Sequence, residues 1–557
     1  MNSKLFRRIL AAAVLLLTAT VSVGCSAEPV TASQPIVPTQ SGEEPQSEPA
    51  VTLAQQEFIL PWYRGEGFNP YVSDNSLTVQ LADLLFEKMV VIDPNAALEY
   101  HVVAGVTQQE NRLLLTVSPS YRFDDGDPIT ARDVAASLQA ARTSVLYGGR
   151  FADIDKVEVT AEDQVSVILK RPDSRFVWLL DLPVLPADEI TAARPRASAR
   201  YTYGTEESEL MLNPYSRYIS PFPVIRLQEM TGADALANSL NIGAISLYAS
   251  EKEGLANGIN SSHQTGFYTN TLVFLGFNAQ AWRTYELING EGVRSYKTEP
   301  TGSSPLLARK EARQAINLLL GRTRLLESVY YNQGHTAAGF FNTIGCTGGQ
   351  GSLTQQADPA AAATLLEKLG CRKEMDGYYH WAELLPKTDV PTPTQTQPAP
   401  DADLVTLRLL VNGESSYKRY LAQQITEALE SAGLHTTLIE CDSKEIYLQK
   451  VASLDFDLYI GEIKLYNNMS LDAFLKEDGA AARGIVQSAQ LQNLYEGWRA
   501  RTVTEKTLED ALTEEMLWAP LLWRSGTLYY DKIFTGFTPS ASSLFYGLEH
   551  LRLSSGE

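Results

Sequence analysis

The chain has 557 residues, beyond the length at which a single hydrophobic core stops growing, so two or more lobes are expected. Its hydrophobic fraction of 44% is ordinary for a globular protein and excludes wholesale disorder. A formal net charge of -20 repels phosphate backbones and anionic lipid surfaces, which excludes nucleic acid as a partner but does not identify a ligand.

The chain opens with a basic segment holding Lys4, Arg7 and Arg8, followed by the apolar run Ile9 to Leu17. Such a run is short for a transmembrane helix and is built like a secretory signal. It ends in Val21-Ser22-Val23-Gly24-Cys25, which resembles the lipobox of bacterial lipoproteins, with Ser22 where a Leu is usual. Residues 1–24 are therefore expected to be a cleaved signal peptide. Cys25 is expected to carry the lipid that anchors the chain outside the cytoplasmic membrane. From Ser26 the sequence is rich in Pro, Ser, Thr, Gln and Glu and cannot bury enough surface to offset its ordering entropy. Residues 25–52 read as the lipidated Cys and a tether.

Beyond the tether, helix and strand signals alternate. Leu77, Leu81, Leu84, Leu85 and Met89 keep a 3.6-residue period after Asp74, and the β-branched run Val90-Val91-Ile92 follows. Thr130-Ala131-Arg132-Asp133 has the form of a capping box, and Val134, Leu138 and Ala141 mark a buried helix face. Asp358-Pro359 opens another helix, with Leu365, Leu366 and Leu369 inside and Gly370 to stop it. A Pro/Thr-rich stretch around 386–403 predicts an extended excursion. After it, Leu421, Ile425 and Leu429 stripe a helix ending at Gly433, Thr436 to Ile439 reads as a strand, Asp442 caps the next helix, and Phe456 to Ile460 reads as a strand. Strand, helix and strand at this spacing predict a right-handed crossover in a largely parallel sheet, hence an α/β lobe.

The stretch Tyr121-Arg122-Phe123-Asp124-Asp125-Gly126-Asp127-Pro128-Ile129-Thr130-Ala131-Arg132-Asp133-Val134 combines a strand end, a tight Asp-Gly turn and a capped helix. It resembles the signature of the family 5 extracellular solute-binding proteins, the oligopeptide, dipeptide and nickel binders of ABC importers. Asn69-Pro70 through Asp93, Gly276-Phe277-Asn278, Ala308 to Asn317, Asp455 to Leu458 with Gly461, Pro520-Leu521 and Gly536-Phe537 are similar to further blocks, in the family's order.

The resemblance implies an α/β, two-lobed, periplasmic-binding-protein-like fold of type II, with an extra subdomain in the first lobe. It places lobe one in 53–82, 189–268 and 499–553, the subdomain in 83–188 and lobe two in 269–498, with hinge crossings near Thr269 and Arg499. The implied function is capture of a small-molecule or short-peptide ligand between the lobes and delivery to the membrane permease subunits of an ABC importer, by a monomer without a cofactor. Peptide binders of the family carry an Asp for the peptide's α-ammonium; here Leu465 stands at that place, and the Gly204-Thr205-Glu206-Glu207 block is shortened.

Candidate ligand contacts follow from strand ends near the cleft. Trp62 and Tyr63 precede the Gly65-to-Pro70 loop that holds Asn69, and their aromatic rings suit either stacking on a solute or core packing. Glu462 is either the candidate acid for a cationic group or a solvated loop charge, and Tyr466, Asn467 and Asn468 offer donors and acceptors beside it. Asn278 is either a ligand contact or a strand-end hydrogen bond to backbone. Cys346 and Cys371 flank the Asp358 helix and are the candidate disulfide pair; the cysteines lack close-spaced His partners, so no metal site is expected.

Two other readings touch parts of the chain. Ser415-Ser416-Tyr417-Lys418 fits S-x-x-K and Ser73-Asp74-Asn75 fits S-D-N, as in penicillin-recognising hydrolases, but the order is reversed and K-T-G is missing. No enzyme is expected. A lipoprotein that senses solute without transporting it is not separable from a transporter subunit by sequence.

Overall fold

The protein is described by a computed structural model covering residues 53–232, 234–251, 259, 262–280, 282–288, 294–345, 351–382 and 403–554. The signal peptide, Cys25, Cys346 and residues 386–402 of the expected excursion lie outside the described residues.

Local chemistry sets the first elements. Strand β1 (Ile59–Trp62) precedes helix α1 (Ser76–Leu85), which Asn75 caps by accepting from the Leu77 N–H at 2.8 Å. The apolar period runs on to Met89, but the helix ends at Leu85, Phe86 is already extended, and the Met89 N–H goes to the Leu182 carbonyl at 2.9 Å. Strands β2 (Val103–Gln109) and β3 (Arg112–Val117) form a hairpin. At the signature turn Gly126 adopts φ 94, and a Cβ there would meet the Tyr215 ring at 3.0 Å. Helix α2 (Ala131–Thr143) then starts with the Asp133 carboxylate accepting from the Thr130 N–H at 2.8 Å. Its buried face packs on β4 (Ile154–Ala161) and β5 (Gln164–Leu169), which complete an antiparallel four-stranded sheet of order β2-β3-β5-β4.

Strands β6 (Tyr201–Tyr203), β7 (Glu209–Leu212) and β8 (Val224–Glu229) join β1 in a second four-stranded sheet, where only the β1–β8 pair is parallel. One apolar cluster underlies both sheets, including Phe58, Leu85, Leu138, Val165 and Ile225 together with Leu528 and Phe545 from the far end of the chain.

The third sheet is mixed. Strand β9 (Leu247–Ser250) and the long β10 (Ser262–Phe277) precede α3 (Lys310–Leu318), short β11 (Gly334–Thr336) and α4 (Pro359–Lys368), which Asp358 caps and the left-handed Gly370 follows. Then come β12 (Thr406–Asn412), α5 (Ser416–Ala432), β13 (His435–Cys441), α6 (Lys444–Ala452) and β14 (Leu458–Lys464). Strands β13 and β14 do not pair with each other; both run parallel to β12, which lies between them. The cap of α6 is Ser443 rather than Asp442, its hydroxyl accepting from the Ile446 N–H at 3.2 Å.

Helices α7 (Ala489–Arg499) and α8 (Glu505–Glu515) lead into β15 (Trp518–Asp531), and the sheet runs β9-β15-β10-β14-β12-β13 with β11 added on β15. Two further clusters, containing Val273, Leu409 and Leu521 in one and Phe274, Phe474 and Trp518 in the other, cover its two faces. Strand β15 passes from these clusters into the first one, and β10 runs antiparallel to it with a register irregularity between Tyr268 and Thr271. Arg499, near the expected second crossing, closes α7 with its side chain buried.

Candidate functional site

Between the first core and the mixed sheet lies a cavity of about 780 Å³, lined on one side by Tyr63, Asn75, Tyr147, Tyr248 and Phe267 and reached on the other by Lys464. A second hollow of about 540 Å³ adjoins it, lined by Ser415, Tyr417, Glu462 and Arg524. Glu251 and Lys464 line both, and their ion pair at 2.6 and 2.9 Å spans the space between β9 and β14. The site is thus aromatic at one end and charged at the other.

Strand order makes the charged end. β14 carries Glu462 and Lys464 out at its carboxyl end, beside Thr271 and Val273 of β10, while Arg524 comes from β15 on the other side of β10. Glu462 Oε1 lies 3.0 Å from Arg524 Nη1, and its Oε2 lies 3.3 Å from Lys418 Nζ. Lys418 sits in the first turn of α5, whose N-terminus is capped by Ser415 Oγ accepting from the Lys418 N–H at 3.2 Å. The S-x-x-K spacing is therefore an N-cap signature. Arg524 also donates to the Glu251 carbonyl. At the aromatic end, burial pushes the Tyr147 hydroxyl well above its ordinary range, so it remains a neutral donor.

Of the residues expected from sequence, Tyr63 and Glu462 line these cavities. Trp62 does not: it is buried and stacks on Phe68, with ring centroids 5.5 Å apart. Asn69 is fully buried and donates to the Ile190 and Ala192 carbonyls at 3.0 and 2.8 Å. Asn278 donates to Leu454 and Phe456 carbonyls at 3.2 and 3.0 Å, the strand-end use.

The three residues after Leu465 face the segment 149–181. Tyr466 Oη sits 2.6 Å from where a Cβ on Gly149 would lie. Asn467 donates to Asp181 at 3.2 Å and accepts from Asn270 at 3.0 Å, and Asn468 donates to Asp173 at 2.7 Å. Leu465 itself is buried, with its N–H on the Asn270 carbonyl at 2.8 Å.

Sequence reasoning missed Asn75, Tyr147, Tyr248, Glu251, Phe267, Lys464 and Arg524. Tyr248 and Phe267 sit in apolar strand patterns, and only their position on strands that line a cleft distinguishes them. Cys371 is buried among Leu366 and Tyr379. Among the described residues, no group of three or more His, Cys, Asp or Glu is placed to hold a metal ion. Among them, too, no helix is long and apolar enough to cross a membrane.

Two packed bodies, joined by long strands and enclosing a mixed polar and aromatic cleft, give the two-lobed architecture of the periplasmic-binding-protein fold. Residues 223–477 match the family described as bacterial extracellular solute-binding proteins, family 5 Middle. The match covers a little under half of the chain, and the matched family comprises solute-binding proteins rather than enzymes. Solved structures agree on the fold. A nickel ABC transporter protein from Bacillus halodurans is 15% identical, with a TM-score of 0.65, covering 88% of this chain and 98% of that one. NikA from Brucella suis in complex with Fe(III)-EDTA is 15% identical with a TM-score of 0.64, covering 90% of this chain and 100% of that one. The oligopeptide-binding protein AppA from Bacillus subtilis, in complex with a nonapeptide, is 14% identical with a TM-score of 0.52, covering 90% of this chain and 99% of that one. No curated protein matches the chain in sequence.

Proposed function

We propose that this protein is the capture subunit of an ABC importer, held outside the cytoplasmic membrane by a lipid on Cys25, and that it binds a small solute in the cleft bridged by Glu251 and Lys464. The observation that carries this reading is the cleft's composition: tyrosines and Phe267 at one end, and three cations and two carboxylates converging at the other. That combination suits a solute with an apolar part and a charged part, such as a peptide-like molecule or a metal chelate, the kinds of ligand held by AppA and NikA.

A peptide gripped by its free α-ammonium fits less well. The ammonium needs an unengaged carboxylate, Leu465 supplies none, and Glu462 already faces Arg524 and Lys418. The division into lobe one, subdomain and lobe two near residues 83, 189 and 269 is part of the same reading, with the hinge in β10 and β15 where register is lost between Tyr268 and Thr271.

A thermal-shift screen of peptides, N-acetylated peptides, amines, sugars and metal chelates tests it, because a bound solute raises stability by mass action. A hit is expected to shrink the radius of gyration in small-angle scattering. Saturation without compaction overturns the two-lobed capture mechanism. Strong stabilisation by free peptides that N-acetylation abolishes overturns the specificity argument. Mass spectrometry of membrane-extracted protein checks the anchor; an unmodified Cys25 removes it.

A further inference from the structure

The joining strand β10 has two sides. Phe267 lines the cleft, and the next residue, Tyr268, packs the other way on Ile92 and Ala96, as alternation along a strand requires. On that reverse side Tyr268, Asn270 and Asn467 border a hollow with Ile92, Trp178 and Ile344, and none of these six lines either cleft cavity. The molecule thus has a front, which is the cleft, and a back, with the joining strand between them.

At the back the two bodies meet through polar groups. Asn467, in the mixed-sheet body, donates to Asp181 of the first body at 3.2 Å and accepts from Asn270 of the joining strand at 3.0 Å. Asn468 donates to Asp173 at 2.7 Å, and both of these residues are 4% exposed. The Ser174 N–H donates to the Arg499 carbonyl at 2.8 Å, and Arg175 donates to the Gly345 carbonyl at 3.1 Å. Water can replace these partners when the bodies part, so the contact is reversible where an apolar one of the same extent would be far harder to open. Two bodies that turn about a strand lying between front and back cannot come together at the front without separating at the back. The back contact therefore opposes closure of the cleft.

We propose that this back contact is a counterweight to solute capture, with Asn467 as its positioning residue: it holds the ligand-free protein open, and closure on a solute separates Asn467 from Asp181. Arg150 Nη1, 2.9 Å from Asp181 Oδ1, keeps that carboxylate partnered within the first body when Asn467 leaves. Affinity is reduced by the fraction of molecules held in the open form, so weakening the back contact tightens capture. The inference rests on the two-lobed capture reading and adds what sets its affinity.

The test is small-angle scattering of the ligand-free full chain at pH 8. Asn467→Asp sets a second carboxylate against Asp181 and should lower the radius of gyration below that of wild type. Asn467→Ala removes the carboxamide without adding charge and should do the same to a smaller degree. Adding Asp181→Asn to Asn467→Asp restores a donor facing an acceptor and should return the wild-type value. Damage to the fold expands a chain, so compaction separates a counterweight from a merely structural contact. If the double variant does not fold, Asn467→Ala decides. The proposal is overturned if neither Asn467 variant, folded by circular dichroism, is more compact than wild type, or if the folded double variant stays as compact as Asn467→Asp. No solute enters the measurement, so its outcome is separate from whether the thermal-shift screen finds one.

Discussion

Arg499 Nη2 lies 2.7 Å from Asp153 Oδ2, although the arginine ends a helix of the mixed-sheet body and the aspartate belongs to the first core. The same guanidinium is 3.7 Å from Asp173 and 3.8 Å from Asp472. Arg171 reaches back from the first core to Glu496 at 2.7 Å and to Asp472. Burial pushes Asp472 up, but hydrogen bonds from Arg171 and Lys476 outweigh it and hold the carboxyl at about 2. The two bodies are thus clasped by charges at a place remote in sequence from the joining strands.

Because Arg499 is 2% exposed, its removal takes the counter-charge from Asp173, 5% exposed, and leaves Asp153 with Arg171 alone at 2.9 Å. Arg499→Met is expected to lower the unfolding free energy by about 3 to 5 kcal/mol, the range for breaking a buried pair. Urea unfolding measures it. A loss below ~1 kcal/mol would mean that the clasp contributes little to the folded state.

Glu509 gives the protein a pH dependence. Its carboxylate accepts from the Phe340 N–H at 2.8 and 3.0 Å, yet burial dominates and raises the carboxyl from 4.5 to about 7. A raised acid contributes stability that is complete below its unfolded value near 4.5 and is lost as pH rises through about 7. Wild type should therefore lose up to roughly 3 kcal/mol between pH 5 and pH 8 from this group, since each tenfold change in proton affinity is worth ~1.4 kcal/mol. Glu509→Gln keeps an acceptor for Phe340 and should at least halve that loss. An unchanged pH slope in denaturant unfolding would assign the titration to another group.

Two glycines of the mixed sheet face aromatic rings across strands. A Cβ on Gly276 would run into the Tyr459 ring, and one on Gly461 would run into the Phe274 ring. These residues are direct cross-strand partners in β10 and β14. Gly276→Ala and Gly461→Ala are each expected to destabilise by about 1 to 3 kcal/mol through overpacking. Thermal unfolding reads the effect, and a rise in melting temperature for either would show that the rings move aside freely.

The two ion pairs of the cleft should behave unlike each other. Arg524 is 10% exposed in its side chain, so Glu462→Gln leaves a mostly buried cation short of its partner and should cost about 1 to 3 kcal/mol. The Glu251–Lys464 pair is half in solvent, so Lys464→Ala should change stability by less than ~1 kcal/mol. Equal effects would contradict the difference in burial.

The sequence by itself determined what neighbours along the chain can decide. Thr130 with Asp133, Asp358 with Pro359, and Gly433 at the end of α5 each set a helix end through backbone groups within a few residues, and the structure has all three boundaries. The turn at Gly126 and the resemblance to family 5 rest on the same short-range chemistry. Strand β12 is an apolar run just beyond the Pro/Thr-rich stretch with no pattern to set it apart, although it separates β13 from β14. Tertiary structure alone decided the site. Glu462 and Tyr63 were legible because they stand near strand ends, but Trp62, Asn69 and Asn278 stand at or after strand ends too and serve the core. Glu251, Lys464 and Arg524 meet only because β15 and β14 flank β10, and that strand order is set by burial summed over the whole sheet. No window of sequence holds that sum, so the charges that converge in the cleft and the clasp at Arg499 had no local signature.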